Sequence, residues 1–213
     1  MSSDEAKRDG RELEYPLDAF ERDLRAVIGY PTALRPFVCN GSPLDCTVFL
    51  VGLNPATPMK AGFWTFWVPG VGFNREEWFR AYVAERMEAG PKPGKTRVTK
   101  VSHTRTFINE VIYGAGSGVN ILETNIYATE KPAYSELQAD EKITAPFDFL
   151  VRRIKPRLLV AHGDDVHGHI ADLKVDPEVM PIPHFTARGA NKWSKVKARK
   201  LGEQIRLRVE AGR

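Results

Sequence analysis

Apolar positions along this chain follow two rhythms. One recurs every three to four residues. In YPLDAFERDLRAVIGY it sets Phe20, Leu24, Val27 and Ile28 on one face, which predicts a first helix. The other rhythm is a short unbroken apolar run. TVFLV, from Thr47 to Val51, predicts a strand covered on both faces, as strands in parallel sheets are. VNILETNIYAT and KPRLLVAHG predict two more strands, and EVMPIPH a short fourth. Helical patterns lie between them. Asn74, with Glu77 three positions on, makes a capping-box start for a helix carrying Trp78, Phe79, Tyr82, Val83 and Met87. Another helix runs through RTFINEVIYG. APFDFLVRRI tolerates Pro146 in its first turn. DDVHGHIADL reads as a short helix, and NKWSKVKARKLGEQIRLRVE as a long basic one. LRPFVCNGSPLDC is punctuated by Pro and Gly and reads as a connector, and KAGFWTFWVPGVGF as an aromatic, turn-rich segment.

Strands that alternate with helices build βαβ units. The expected fold is therefore α/β, a single domain with three α/β/α layers around a central, mostly parallel four-stranded sheet. The polar stretch MSSDEAKRDGRELE has no apolar signal region, so residues 1–14 are expected to be a flexible lead-in and 15–213 the domain.

Composition narrows this picture. A chain of 213 residues that is 42% hydrophobic and 27% charged has the make-up of a globular protein with a sizeable core. No apolar run reaches the roughly 18 residues that span a bilayer, so no membrane partner is expected. Two cysteines, Cys39 and Cys46, are too few for a disulfide framework, a four-ligand zinc site or an iron–sulfur cluster. They are expected to be reduced thiols in a cytoplasmic protein, nucleoid-associated if bacterial, with no metal and no cofactor. HGDDVHGH clusters His162, Asp164, Asp165, His167 and His169, but His167 and His169 fall on different faces of a helix.

A net charge of +4 and a pI of about 9.1 lean towards an anionic partner such as nucleic acid. A slightly basic, solvated surface has the same composition. The segment GPKPGKTRVTKVSHTR holds Lys92, Lys95, Arg97, Lys100 and Arg105, with no acid between Glu88 and Glu110. Arg188 and Lys192 form a second basic segment.

In open parallel sheets, ligands bind beyond the carboxyl ends of the strands. Those ends read GLNPA, ETNIYATE, AHGDD and PIPHFTARG, which gathers Asn54, Asn125 and His184 on one edge. Each has an ordinary explanation when taken alone. Asn-Pro favours turns, Asn125 can cap the next loop, and His184 can be a surface histidine.

Taken together, GLNPA at Gly52–Ala56, ETNIYA with Asn125, and HFTARGANKW from His184 resemble the uracil-DNA glycosylase superfamily. The closest likeness is to the mismatch-specific and single-strand-selective branches, whose first motif is written G-x-N-P-G. IKPRLLVAHG is similar to their third-strand segment. The likeness runs from Thr47 to the last helix. Ala56 stands where that first motif ends in Gly, and Phe185 and Thr186 stand where the second motif has Pro-Ser.

The resemblance implies a monomeric, monofunctional hydrolase. It would cleave the N-glycosidic bond of uracil, or a related damaged base, in single- or double-stranded DNA without a cofactor. Asn54 would hold the attacking water through its carbonyl oxygen, pre-aimed by Pro55. His184 would donate to the departing base, a contribution worth ~10²–10³ in rate for one preorganised donor. Asn125 would read the O4 and N3–H edge, with Gly52 and Leu53 bordering the base. Phe66 or Trp67 would cover it, with Phe63, Trp64 and Phe73 as alternatives. Lys95, Arg97, Lys100, Arg188 and Lys192 would meet DNA, Arg188 as the wedge that fills the gap left by the flipped base. Two other readings stay open. One is a non-catalytic nucleic-acid-binding member of the fold, and the other an α/β enzyme acting on free nucleotides or nucleosides.

Overall fold

The run TVFLVG becomes the central strand. All of Val48–Gly52 is buried, because helices cover both faces. The computed structural model describes residues 15–91, 94, 96–172 and 177–212, so the lead-in 1–14 lies outside the described residues. Seven strands occur among them: β1 (Phe37–Val38), β2 (Val48–Gly52), β3 (Trp67–Val68), β4 (Gly72–Phe73), β5 (Ile121–Asn125), β6 (Leu158–His162) and β7 (Glu178–Ile182). The helices are α1 (Pro16–Ile28), α2 (Arg75–Glu88), α3 (His103–Ala115), α4 (Ala145–Ile154), α5 (Asp164–Asp172) and α6 (Lys195–Ala211).

The main sheet has the order β1-β5-β2-β6-β7. β5, β2, β6 and β7 run parallel, while β1 pairs antiparallel with β5. The expected four-stranded sheet is therefore corrected to a five-stranded, mixed one. The additional strand has two residues and lies inside LRPFVCNGSPLDC, where Pro36 and Gly41 imitate a plain connector. Thr124 ties it down by donating its hydroxyl to the Pro36 carbonyl at 2.7 Å. Pro181 sits in β7, the sheet edge, where a missing N–H is tolerated.

Strand alternation separates two cores. Val48, Leu50, Leu158 and Val160 pack with α3 and α6, whereas Phe49, Val51, Leu159 and Ala161 pack with α1, α4 and α5. The result is three α/β/α layers. Burying one such side chain contributes roughly 1.5–3 kcal/mol. α3 and α6 approach unusually closely. A Cβ on Gly114 would stand 2.1 Å from the Arg199 carbonyl oxygen, and one on Gly202 2.1 Å from that of Val111, so only glycine fits at the crossing.

Helix starts follow side-chain caps. Asn74 accepts from the Glu77 N–H at 3.0 Å, but the Glu77 carboxylate turns to Arg80 at 2.8 Å, so only half of the expected capping box forms. α3 begins two residues before the sequence pattern suggested, because Ser102 caps it by accepting from the Arg105 N–H at 3.1 Å. The aromatic segment folds into a tight turn over Phe63–Phe66 and then the β3–β4 hairpin. No helix among the described residues is long and apolar enough to cross a membrane.

Candidate active site

The parallel strands end at one edge, and there a cavity of about 840 Å³ opens. Asn54, Asn125, His162 and His184 all line it. Their meeting follows from register. Gly52 pairs with Asn125 on β5, and Val51 with Ala161 on β6, so Asn125, Gly52 and His162 stand in one row across three strands. A Cβ on Gly52 would be 2.6 Å from Asn125 Oδ1 and 2.8 Å from His162 Nε2. Glycine here lets two polar side chains close over the central strand.

Asn54 is held through its nitrogen. Nδ2 donates to the Lys131 carbonyl at 2.8 Å, which commits the amide orientation and leaves Oδ1 as the acceptor at the cavity wall. The loop beneath is stitched to the segment after β5. Ile126, Tyr127 and Lys131 donate their N–H groups to the carbonyls of Gly52, Leu53 and Pro55 at 2.9, 2.9 and 3.1 Å. Leu53 is half-buried and also lines the cavity.

His184 Nδ1 accepts from the Thr186 main-chain N–H at 3.2 Å, with the Thr186 hydroxyl 2.7 Å away. In the neutral ring this leaves the proton on Nε2, so His184 presents a donor. His184 keeps much of its surface exposed, and partial desolvation by the cavity wall lowers its pKa below the usual imidazole value, with Asp165 opposing more weakly. His184 is therefore neutral at pH 7.

The sequence places His162 near a strand end and within the HGDDVHGH cluster, but does not single it out for the site. The structure puts it in the site. Its ring lies 5.1 Å from that of His184 and 4.9 Å from that of Phe185, and its buried Nδ1 has no hydrogen-bond partner. Burial first, then His184 and His167, lower its pKa to about 3, so it too is neutral. The available signal was positional: His162 occupies the β6 level that Gly52 leaves open. Among the described residues no group of three or more His, Cys, Asp or Glu is placed to hold a metal ion.

The cavity continues to a charged inner end. Glu123, on β5, is buried and ion-paired with Arg75 at 3.2 Å and with Arg105. Burial alone would raise its carboxyl, but Arg105 and Arg75 outweigh that and hold it below the usual carboxylate range. Trp78 lies beside them, with the Arg105 guanidinium 4.6 Å from its ring and that of Arg35 6.0 Å away.

The structure places Phe66 and Trp67 elsewhere. Both are buried with Phe63 and Phe73 in the aromatic core, and Trp67 Nε1 donates to Glu21 at 2.6 Å. The aromatic rings that border the cavity, besides the two histidines, include Trp78, Tyr82 and Tyr134. Arg97, Lys100, Arg188 and Lys192 are exposed, and Lys95 lies outside the described residues. Both basic segments adjoin the cavity, because Thr99 and Thr186 line it. Cys39 and Cys46 are buried free thiols, and burial pushes that of Cys39 well up.

The chain matches no protein-family model, and no curated protein is significantly similar to it.

Proposed function

We propose that the protein is a DNA glycosylase that hydrolyses the N-glycosidic bond of uracil or a closely related base. The observation that carries this reading is the convergence of Asn54, Asn125 and His184 on one cavity at the strand ends. In this account a flipped pyrimidine enters the cavity with its O4 and N3–H edge towards Asn125. As the C1′–N1 bond breaks, its electron pair leaves with the base, and negative charge grows on O2. The neutral His184 Nε2–H donates to that oxygen, an interaction that strengthens only as the bond opens. A water attacks C1′ and loses its proton to solvent. Asn54 does not titrate, so it acts by positioning that water through Oδ1 rather than by removing the proton. Its anchor on Lys131 is the support for this role.

The basic segments beside the cavity would hold the DNA backbone. The test is incubation of enzyme in excess with uracil-containing oligonucleotides, single- and double-stranded, followed by alkali. Strand breaks at uracil are expected. Intact strands of both kinds would overturn the proposal, and binding without breakage would favour a non-catalytic role.

A further inference from the structure

The inner end of the cavity has a chemistry that pyrimidine recognition does not use. Among the described residues, Arg35, Arg75 and Arg105 share two carboxylates, Glu130 and Glu123, which leaves an excess of positive charge in a largely buried place. Two buried donors there make no hydrogen bond. Trp78 is 2% exposed, and its Nε1–H has no partner. Arg35 Nη1 lies 3.1 Å from Glu130 Oε1, but the approach is too oblique for a hydrogen bond, and no other acceptor meets it. Buried donors are normally hydrogen-bonded, so donors left without a partner mark a place where an acceptor can sit. The first turn of α3 adds its own field. Ser102, Thr104 and Arg105 line the cavity, and that turn carries no acidic residue. The exposed amides of a helix start favour an anion.

We propose that this inner end binds a phosphate group, whether free or carried on a nucleotide or strand terminus. The donors come from three different elements: Arg35 before β1, Trp78 on α2 and Arg105 on α3. Donors converging from several directions suit a tetrahedral oxyanion better than a planar carboxylate. The cavity, at about 840 Å³, has room for a nucleoside monophosphate with its base at the strand ends and its phosphate beside Trp78.

The test is isothermal titration calorimetry with inorganic phosphate, deoxyuridine and deoxyuridine 5′-monophosphate. The monophosphate should bind at least about tenfold more tightly than deoxyuridine, and inorganic phosphate should compete with it. Arg105→Gln leaves Arg75 to pair with Glu123 and should weaken phosphate binding about tenfold or more. Trp78→Phe keeps the ring and removes the donor, and should weaken it severalfold. Equal affinities for deoxyuridine and its monophosphate in the parent protein, with no competition by phosphate, would overturn the proposal even if a variant fails to fold. Phosphate binding unchanged in both folded variants would also overturn it, by assigning the anion to surface lysines. The glycosylase reading stands or falls separately. Uracil excision without phosphate binding removes only the subsite, and phosphate binding without excision removes only the glycosidic chemistry.

Discussion

His162 makes stability depend on pH in a calculable way. The free imidazole titrates at 6.5, and the folded one is lowered to about 3. At pH 8 the ring is neutral in both states and contributes nothing to the pH dependence. Below 6.5 the unfolded chain takes up a proton that the folded chain refuses until about pH 3. Stability is therefore lost as pH falls through that window, at ~1.4 kcal/mol per unit once the unfolded ring is charged. From pH 8 to pH 5 the loss from this residue is about 2 kcal/mol. His162→Phe keeps a ring beside Phe185 and cannot be protonated. Urea unfolding of parent and variant at both pH values isolates the residue, because groups common to both largely cancel in the difference. The variant should gain about 2 kcal/mol on the parent between pH 8 and pH 5. Parallel losses, within about 0.5 kcal/mol, would show that His162 is charged or partnered in the fold and that the buried, neutral ring described above is wrong.

Gly52→Ala should keep the sheet but push Asn125 and His162 apart. Single-turnover excision of uracil should fall about 100-fold, as misplacements near 1 Å do, while far-UV circular dichroism stays native; an undiminished rate would dissociate the strand-end row from catalysis. Phe66→Ala should lower unfolding free energy by about 3–5 kcal/mol in urea, as a core ring does. A stable variant with weakened uracil binding would instead make Phe66 a lid. Replacing Arg97, Lys100 and Arg188 together by Ala should flatten the fall of DNA affinity with salt, since fewer counterions are released. An unchanged slope would make these side chains merely solvated.

The helices and the parallel strands could be read from the chain because each carries an unmixed signal. Phe20, Leu24 and Ile28 recur at helical spacing, and TVFLV is unbroken. Phe37–Val38 could not, since two residues between Pro36 and Gly41 have no periodicity, and their pairing is decided by β5, some eighty residues away. Asn54, Asn125 and His184 were legible because strand ends in a parallel sheet share an edge. His162 was hidden by its acidic and histidine neighbours, which drew attention to metal binding. Phe66 and Trp67 were drawn towards the site by the family resemblance alone. In the fold, the 3₁₀ turn and hairpin turn those rings into the aromatic core beside Phe37. The charged inner end had no local signature at all. Arg35, Trp78, Arg105 and Glu123 come from four separate elements or connectors and meet only when β1 closes the sheet edge.

The central claim, that Asn54 positions the attacking water, is tested most directly by single-turnover excision from one uracil oligonucleotide with the parent, Asn54→Ala and Asn54→Asp proteins. Ala removes the acceptor, and Asp cannot donate to the Lys131 carbonyl that fixes the side chain. Both variants should therefore bind the oligonucleotide as the parent does yet excise at least about 100-fold more slowly. If Asn54 serves only the turn before Pro55, Asp replaces it well. Equal excision rates for parent, Ala and Asp would contradict the account.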